Sequence, residues 1–221
     1  MSLRAGARAL LGDAGAPLTI LCLGAHCDDV EIGCGGTLLR LLSDHPGSTV
    51  HFVALASTPA REAETRAAVG ELLAGAARAE ITVKAFRDGY FPFMGPDIKD
   101  FFEQTKRACA PDLVLTHHRH DRHQDHRFVA ELTWNTFRDH LIVEYEIPKY
   151  EGDLGHPNVY VPLTAAVARR KIDVLLRSFK SQASRAWFRA ETFEAVMRLR
   201  GVECNAPDGL AEAFHVAKLV V

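Results

Sequence analysis

Residues 25–36 read AHCDDVEIGCGG and place His26, Asp28, Asp29 and Glu31 within seven positions, directly after the apolar run LTILCLG. Acids crowded at the exit of a buried strand are seldom there for packing, because an unpaired buried charge is costly. His26 and Asp29 are three apart, so on a turn or opening helix an imidazole nitrogen and a carboxylate oxygen reach one ion, while Asp28 points towards that ion's open side. A second cluster, HHRHDRHQDHRFV at 117–129, holds five of the 11 histidines within ten positions. Its His123 and His126 are again three apart, and either completes a set of two histidines and one carboxylate. Three protein ligands leave room for water, as in catalytic zinc sites, and the same set suits iron(II).

The elements that must position these clusters follow from periodicity. Apolar runs at 18–24, 50–56, 80–86, 112–118 and 141–147 read as buried strands, and they alternate with helical stretches at 35–47, 58–75, 96–109 and 127–137. Beyond 147 the sequence predicts a loop with a short strand, helices over 165–180 and 184–200, and a last strand in AFHVAKLVV. The alternation predicts a Rossmann-like three-layer α/β fold, a mostly parallel sheet with helices on both faces, in one domain spanning 1–221. Ligands of such sheets bind beyond the strand C-termini, where both clusters fall.

Composition narrows the classes. The chain has 221 residues, 48% of them hydrophobic, and a net charge of −2. Dispersed charge gives no reason to expect nucleic acid or an anionic membrane as partner. No apolar run approaches the ~20 residues of a membrane helix. The first 17 residues lack the core and cleavage site of a signal peptide and read as a short helix or leader. Five cysteines without a paired framework fit free thiols and a cytoplasmic location. Monomer and homo-oligomer are equally compatible with the sequence. GCGG at 33–36 permits a tight turn and close helix–strand approach. A dinucleotide fingerprint would need its glycines where the acids stand.

AHCDD followed by GCGG, with HQDH downstream, resembles the LmbE-like (PIG-L) family of zinc-dependent N-acetylglucosaminyl deacetylases, and REAETRAAVGELL, FRDG and the YVPLT–helix–SQ segment extend the likeness over most of the chain. The resemblance implies His26, Asp29 and His126 as ligands of Zn2+, Asp28 as general base and His123 as the catalytic histidine; the same ligands accept Fe2+, and Asp125, beside His126, is placed to orient a histidine. It further implies removal of the N-acetyl group from an N-acetylglucosamine-type sugar or its conjugate by metal-activated water, with a small amino sugar as the partner molecule. Arg61 and Asp88 match positions near the sugar, Lys149 and His156 on the variable later loops are candidates for substrate contact, and Tyr90, Phe91 and Phe93 are candidates for an apolar wall. The family usually has proline where Cys27 stands, so this turn is less stiff. Two rival readings are a metal-binding protein without catalysis, which has no need of Asp28, and a nucleotide-binding oxidoreductase. For Asp28 the rival role is a helix N-cap; for His117 it is a place in a loop or at the sheet edge; for Asp121 it is a surface pair with Arg122.

Overall fold

The computed structural model describes residues 15–219; the N-terminal helix or leader and the last two residues of the final predicted strand lie outside them. In chain order the elements are β1 (Thr19–His26), α1 (Asp29–Asp44), β2 (Thr49–Ala56), α2 (Pro59–Leu72), β3 (Arg78–Val83), α3 (Gly95–Ala108), β4 (Leu113–His117), α4 (Gln124–Thr136), β5 (Leu141–Tyr145), β6 (Val159–Pro162), α5 (Ala165–Ser178), α6 (Ala190–Glu203) and β7 (Ala211–His215). One seven-stranded sheet has the order β3-β2-β1-β4-β5-β7-β6. β3 to β5 run parallel, while β7 is inserted antiparallel between β5 and β6.

Alternation along β1 builds the layers. Ile20 and Cys22 face a core shared with Leu38, Leu41, Leu72 and Val174 on α1, α2 and α5. Leu21 and Leu23 face Ile98, Phe102, Val129 and Leu132 on α3 and α4. Both faces of the strand are therefore apolar, as a central parallel strand requires. Order reverses between β1 and β4, so their C-terminal ends open a crevice at the switch point. His26 and His117 are the last residues of those two strands.

The helix predicted to begin at the glycines of GCGG begins six residues earlier, at Asp29, and breaks its helical geometry at Cys34 (φ −145°, ψ 18°). The break has a distant cause. Glu212 of β7 accepts the Gly36 and Thr37 amides at 2.9 and 2.6 Å, and Lys171 of α5 donates to the same carboxylate at 2.6 Å. These free N–H groups form a second helix start within α1. A Cβ on Gly33 would lie 2.3 Å from the Tyr145 ring, and one on Gly36 2.5 Å from Leu163. The glycines are there for close approach. α4 likewise starts earlier than predicted, at Gln124, and α6 later, at Ala190.

The loop after β4 is pinned by Glu144, which is buried in β5. Its carboxylate accepts from His118 Nδ1 at 2.8 Å, from Arg119 Nε at 2.9 Å and from the Trp134 indole at 2.5 Å. Although burial opposes ionisation, these donors hold its pKa at about 2. A carboxyl depressed in the folded state stabilises the fold above its ordinary value and loses that contribution as pH falls towards 2. Glu144→Gln should remove up to roughly 3 kcal/mol. Urea midpoints measured from pH 6 down to pH 2.5 should fall more steeply in the parent than in the variant; parallel curves would reject this role.

Candidate metal centre

The turn from β1 into α1 brings the first cluster together. Asp28 has φ 97°, the left-handed region that a non-glycine residue enters only when its surroundings compel it. It occupies the N-cap position of α1 but makes no side-chain capping bond, so the capping role is not the one it plays. Instead Arg61 of α2 donates from Nη2 to Asp28 Oδ1 at 2.9 Å and also to the Cys27 carbonyl. Asp29 Oδ2 accepts the His26 amide at 2.6 Å, which folds the loop back on itself.

Ligand-type side chains of three residues from two distant segments converge. His26 Nδ1 lies 3.2 Å from His126 Nε2 and 3.4 Å from Asp29 Oδ2, and His126 Nε2 lies 3.5 Å from Asp29 Oδ1. The outer nitrogens are both committed as donors. His126 Nδ1 donates to Asp121 Oδ2 at 2.9 Å. His26 Nε2 faces Asp125 Oδ2 at 3.2 Å and Asp88 Oδ1 at 3.1 Å. Asp125 is fixed in turn by the amides of Gly89 (2.6 Å) and Phe91 (3.1 Å). The inner nitrogens of two imidazoles and a carboxylate thus face one another, an arrangement that one positive charge balances, either a proton on His26 or a metal ion in its place.

The electrostatics agree. Burial alone works against a charged His26, yet the facing carboxylates of Asp29, Asp125 and Asp88 hold it well above the ordinary histidine range: the pocket demands one positive charge. Burial, with His117 beside it, pushes His126 down to about 3, leaving the neutral imidazole that ligation requires. Burial would raise Asp29, but His126, His117 and His26 keep it well below the usual carboxylate range. Burial pushes Asp28 up to about 7 against the pull of Arg61. His123 caps α4, its Nδ1 accepting the Asp125 amide at 3.3 Å, which leaves the proton on Nε2.

An open cavity of about 270 Å³ adjoins the cluster, and His26, Asp28, Asp29, Arg61, Asp88, His123, His126 and Lys149 all line it. His156 does not: it is exposed and lies outside the lining residues, near Glu203. The expected aromatic wall is also elsewhere. Phe91 is buried in the core, while Phe93 is 81% exposed and, like Tyr90, absent from the lining. Tyr150 and Trp187, with Gln182 and Arg185, take that place. Arg61 pairs with Asp28 rather than with Glu62 or Glu64 of its own helix. The Cys27 thiol donates to Ser57 Oγ at 3.3 Å and that of Cys34 to the Val30 carbonyl at 3.2 Å. Neither lines the cavity.

Two residues of the cluster make contacts that the sequence reading did not give them. His117 is fully buried, 3.1 Å from Asp29 Oδ2 and stacked on His126 at 3.9 Å between ring centres. Asp121 is no surface partner of Arg122 but the buried acceptor of His126. Three overlapping groups in this cluster could hold a metal ion: His26, His123 and His126; Asp29, His117 and His126; and His26, Asp88 and Asp125.

A doubly wound α/β protein whose switch point carries a buried histidine–aspartate group able to hold a metal is the class these observations define. Residues 21–137 match the family described as PIG-L: GlcNAc-PI de-N-acetylase, and the chain belongs to it. No curated protein matches the chain. Among solved structures, a conserved protein from Thermus thermophilus is similar over 92% of this chain and 96% of its own, at 21% identity and a TM-score of 0.72. The 4-carboxy-2-hydroxymuconate hydratase of Pseudomonas putida is 18% identical over 92% of this chain and 98% of its own, TM-score 0.75. The N,N'-diacetylchitobiose deacetylase of Pyrococcus horikoshii is 18% identical over 90% and 83%, TM-score 0.62. At such identities the likeness establishes the fold. No helix of the described residues is long and apolar enough to cross a membrane.

Proposed function

We propose that the chain is a metal-dependent amidohydrolase that removes the acetyl group from an N-acetylglucosamine-type sugar or its conjugate. The observation that carries this reading is the convergence of His26 Nδ1, His126 Nε2 and Asp29, with both outer nitrogens already bound to carboxylates. Family membership and the deacetylase among the structural neighbours support it. A zinc or ferrous ion held by these three residues supplies Lewis acidity, polarising a carbonyl oxygen and lowering the pKa of water.

The remaining steps belong to the chain's own side chains. Asp28 carries no capping bond, lines the cavity and is oriented by Arg61. Its free oxygen takes the proton of the attacking water as the bond to the acetyl carbon forms. His123, with its proton on Nε2, donates to the carbonyl oxygen as negative charge grows there. The C–N bond then breaks as the nitrogen receives the proton that Asp28 took from water, and acetate and free amine leave. Asp88 is 66% exposed beside His26 and accepts from a sugar hydroxyl. Trp187 gives the ring an apolar face. A binding protein without chemistry would not need a strained, uncapped Asp28, which favours catalysis over that alternative. The acids at the end of β1 repel a pyrophosphate, which disfavours the oxidoreductase.

The test incubates zinc-loaded protein with a panel of N-acetylglucosamine conjugates and measures amine and acetate together. The reading expects their release in equal amounts from at least one conjugate; release of neither from any conjugate by protein that has bound zinc contradicts it.

A further inference from the structure

Lys149, on the segment after β5, lines the cavity, yet its ammonium has nothing left to offer a ligand. Nζ donates to Asp153 Oδ1 and Oδ2 at 2.7 and 2.8 Å, lies 2.8 Å from Asp121 Oδ2 and 3.4 Å from the Ile147 carbonyl. An ammonium has three protons, and protein oxygens account for all of them. The side chains of Lys149, Asp121 and Asp153 are 9%, 4% and 5% exposed, so this is a buried ionic chain. It continues inward. The same Asp121 Oδ2 accepts from His126 Nδ1 at 2.9 Å, and Asp121 Oδ1 accepts the His123 amide at 2.7 Å. At its outer end Asp153 Oδ2 accepts the Arg122 amide at 2.6 Å.

A buried carboxylate facing one imidazole N–H lacks compensating charge, and a buried ammonium between two carboxylates supplies it. With Asp121 so held, His126 keeps its proton on Nδ1 and presents the Nε2 lone pair inward, the role of a carboxylate behind a ligating histidine. We propose that Lys149 is a positioning residue for His126, acting through Asp121, and not a substrate contact. This rests on His126 being a ligand, as the proposed function has it.

The test compares the parent with Lys149→Met, Lys149→Arg and Asp153→Asn. Readouts are zinc affinity by competition with a chromophoric chelator, the visible spectrum of the cobalt-loaded protein, and KM against kcat on the conjugate panel. Lys149→Met should weaken zinc binding about 10- to 100-fold, the usual cost of losing such support. It should also shift the cobalt bands and leave KM near the parent value at saturating metal. Lys149→Arg, which keeps a cation between the two acids, should restore both affinity and spectrum. Parent-like zinc affinity and spectrum in Lys149→Met, with a raised KM, would overturn the proposal and make Lys149 a substrate contact. If Lys149→Met does not fold by circular dichroism, Asp153→Asn decides: several-fold weaker zinc binding supports the proposal, and unchanged binding overturns it. A parent protein that binds no zinc removes the metal reading itself, a result distinct from either.

Discussion

Asp28→Asn should abolish most turnover while the protein keeps its metal. Asparagine is isosteric and can still accept from Arg61, so the turn at φ 97° and the neighbouring Asp29 should stay in place. What disappears is the oxygen that accepts a proton. A positioned base contributes roughly 10²- to 10⁴-fold to such a reaction, and that is the expected fall in kcat. Two measurements make the result specific: metal content per chain should equal that of the parent, and KM should change by only a small factor. Turnover within a few-fold of the parent would remove Asp28 as the base. Lost metal would move it into the ligand set.

Asp29→Ala should have the opposite signature. Asp29 faces His26, His117 and His126 at 3.1 to 3.5 Å. Removing it takes away the negative charge that makes the pocket attractive to a cation and leaves three imidazoles crowded together. Zinc should no longer copurify, and activity should be undetectable and not recoverable by added metal. In the parent, chelation should abolish activity and zinc or iron(II) should restore it. If Asp29→Ala holds one zinc per chain at parent affinity, the ligand set is wrong.

The ends of β1 and β4 are legible from periodicity because both strands are apolar on both faces and stop abruptly at polar clusters. The kink in α1 is not, since it depends on Glu212 of β7 and Lys171 of α5, more than 130 residues away in sequence. The antiparallel insertion of β7 beside β5 is a long-range pairing of the same kind. The contacts of His117 with Asp29 and His126 escape the sequence reading because a run of histidines looks like a solvated loop. The available signal is its position as last residue of a strand with no exposed face, where an imidazole must find a partner. Asp121 carries a comparable signal: a ligating histidine needs an acceptor for its second nitrogen. For Lys149, sequence suggests a loop cation reaching for substrate, and only the folded chain shows its protons already committed to Asp121 and Asp153. His156 shares that loop and that expectation, but it lies outside the cavity lining.

X-ray absorption at the zinc edge of the loaded protein tests the central claim most directly. Two histidines and one aspartate predict an inner shell of nitrogen and oxygen alone, at about 2.0–2.2 Å, with the outer-shell scattering of two imidazoles. A sulfur shell near 2.3 Å, the signature of a thiolate such as Cys27, or the scattering of four imidazoles would contradict the account.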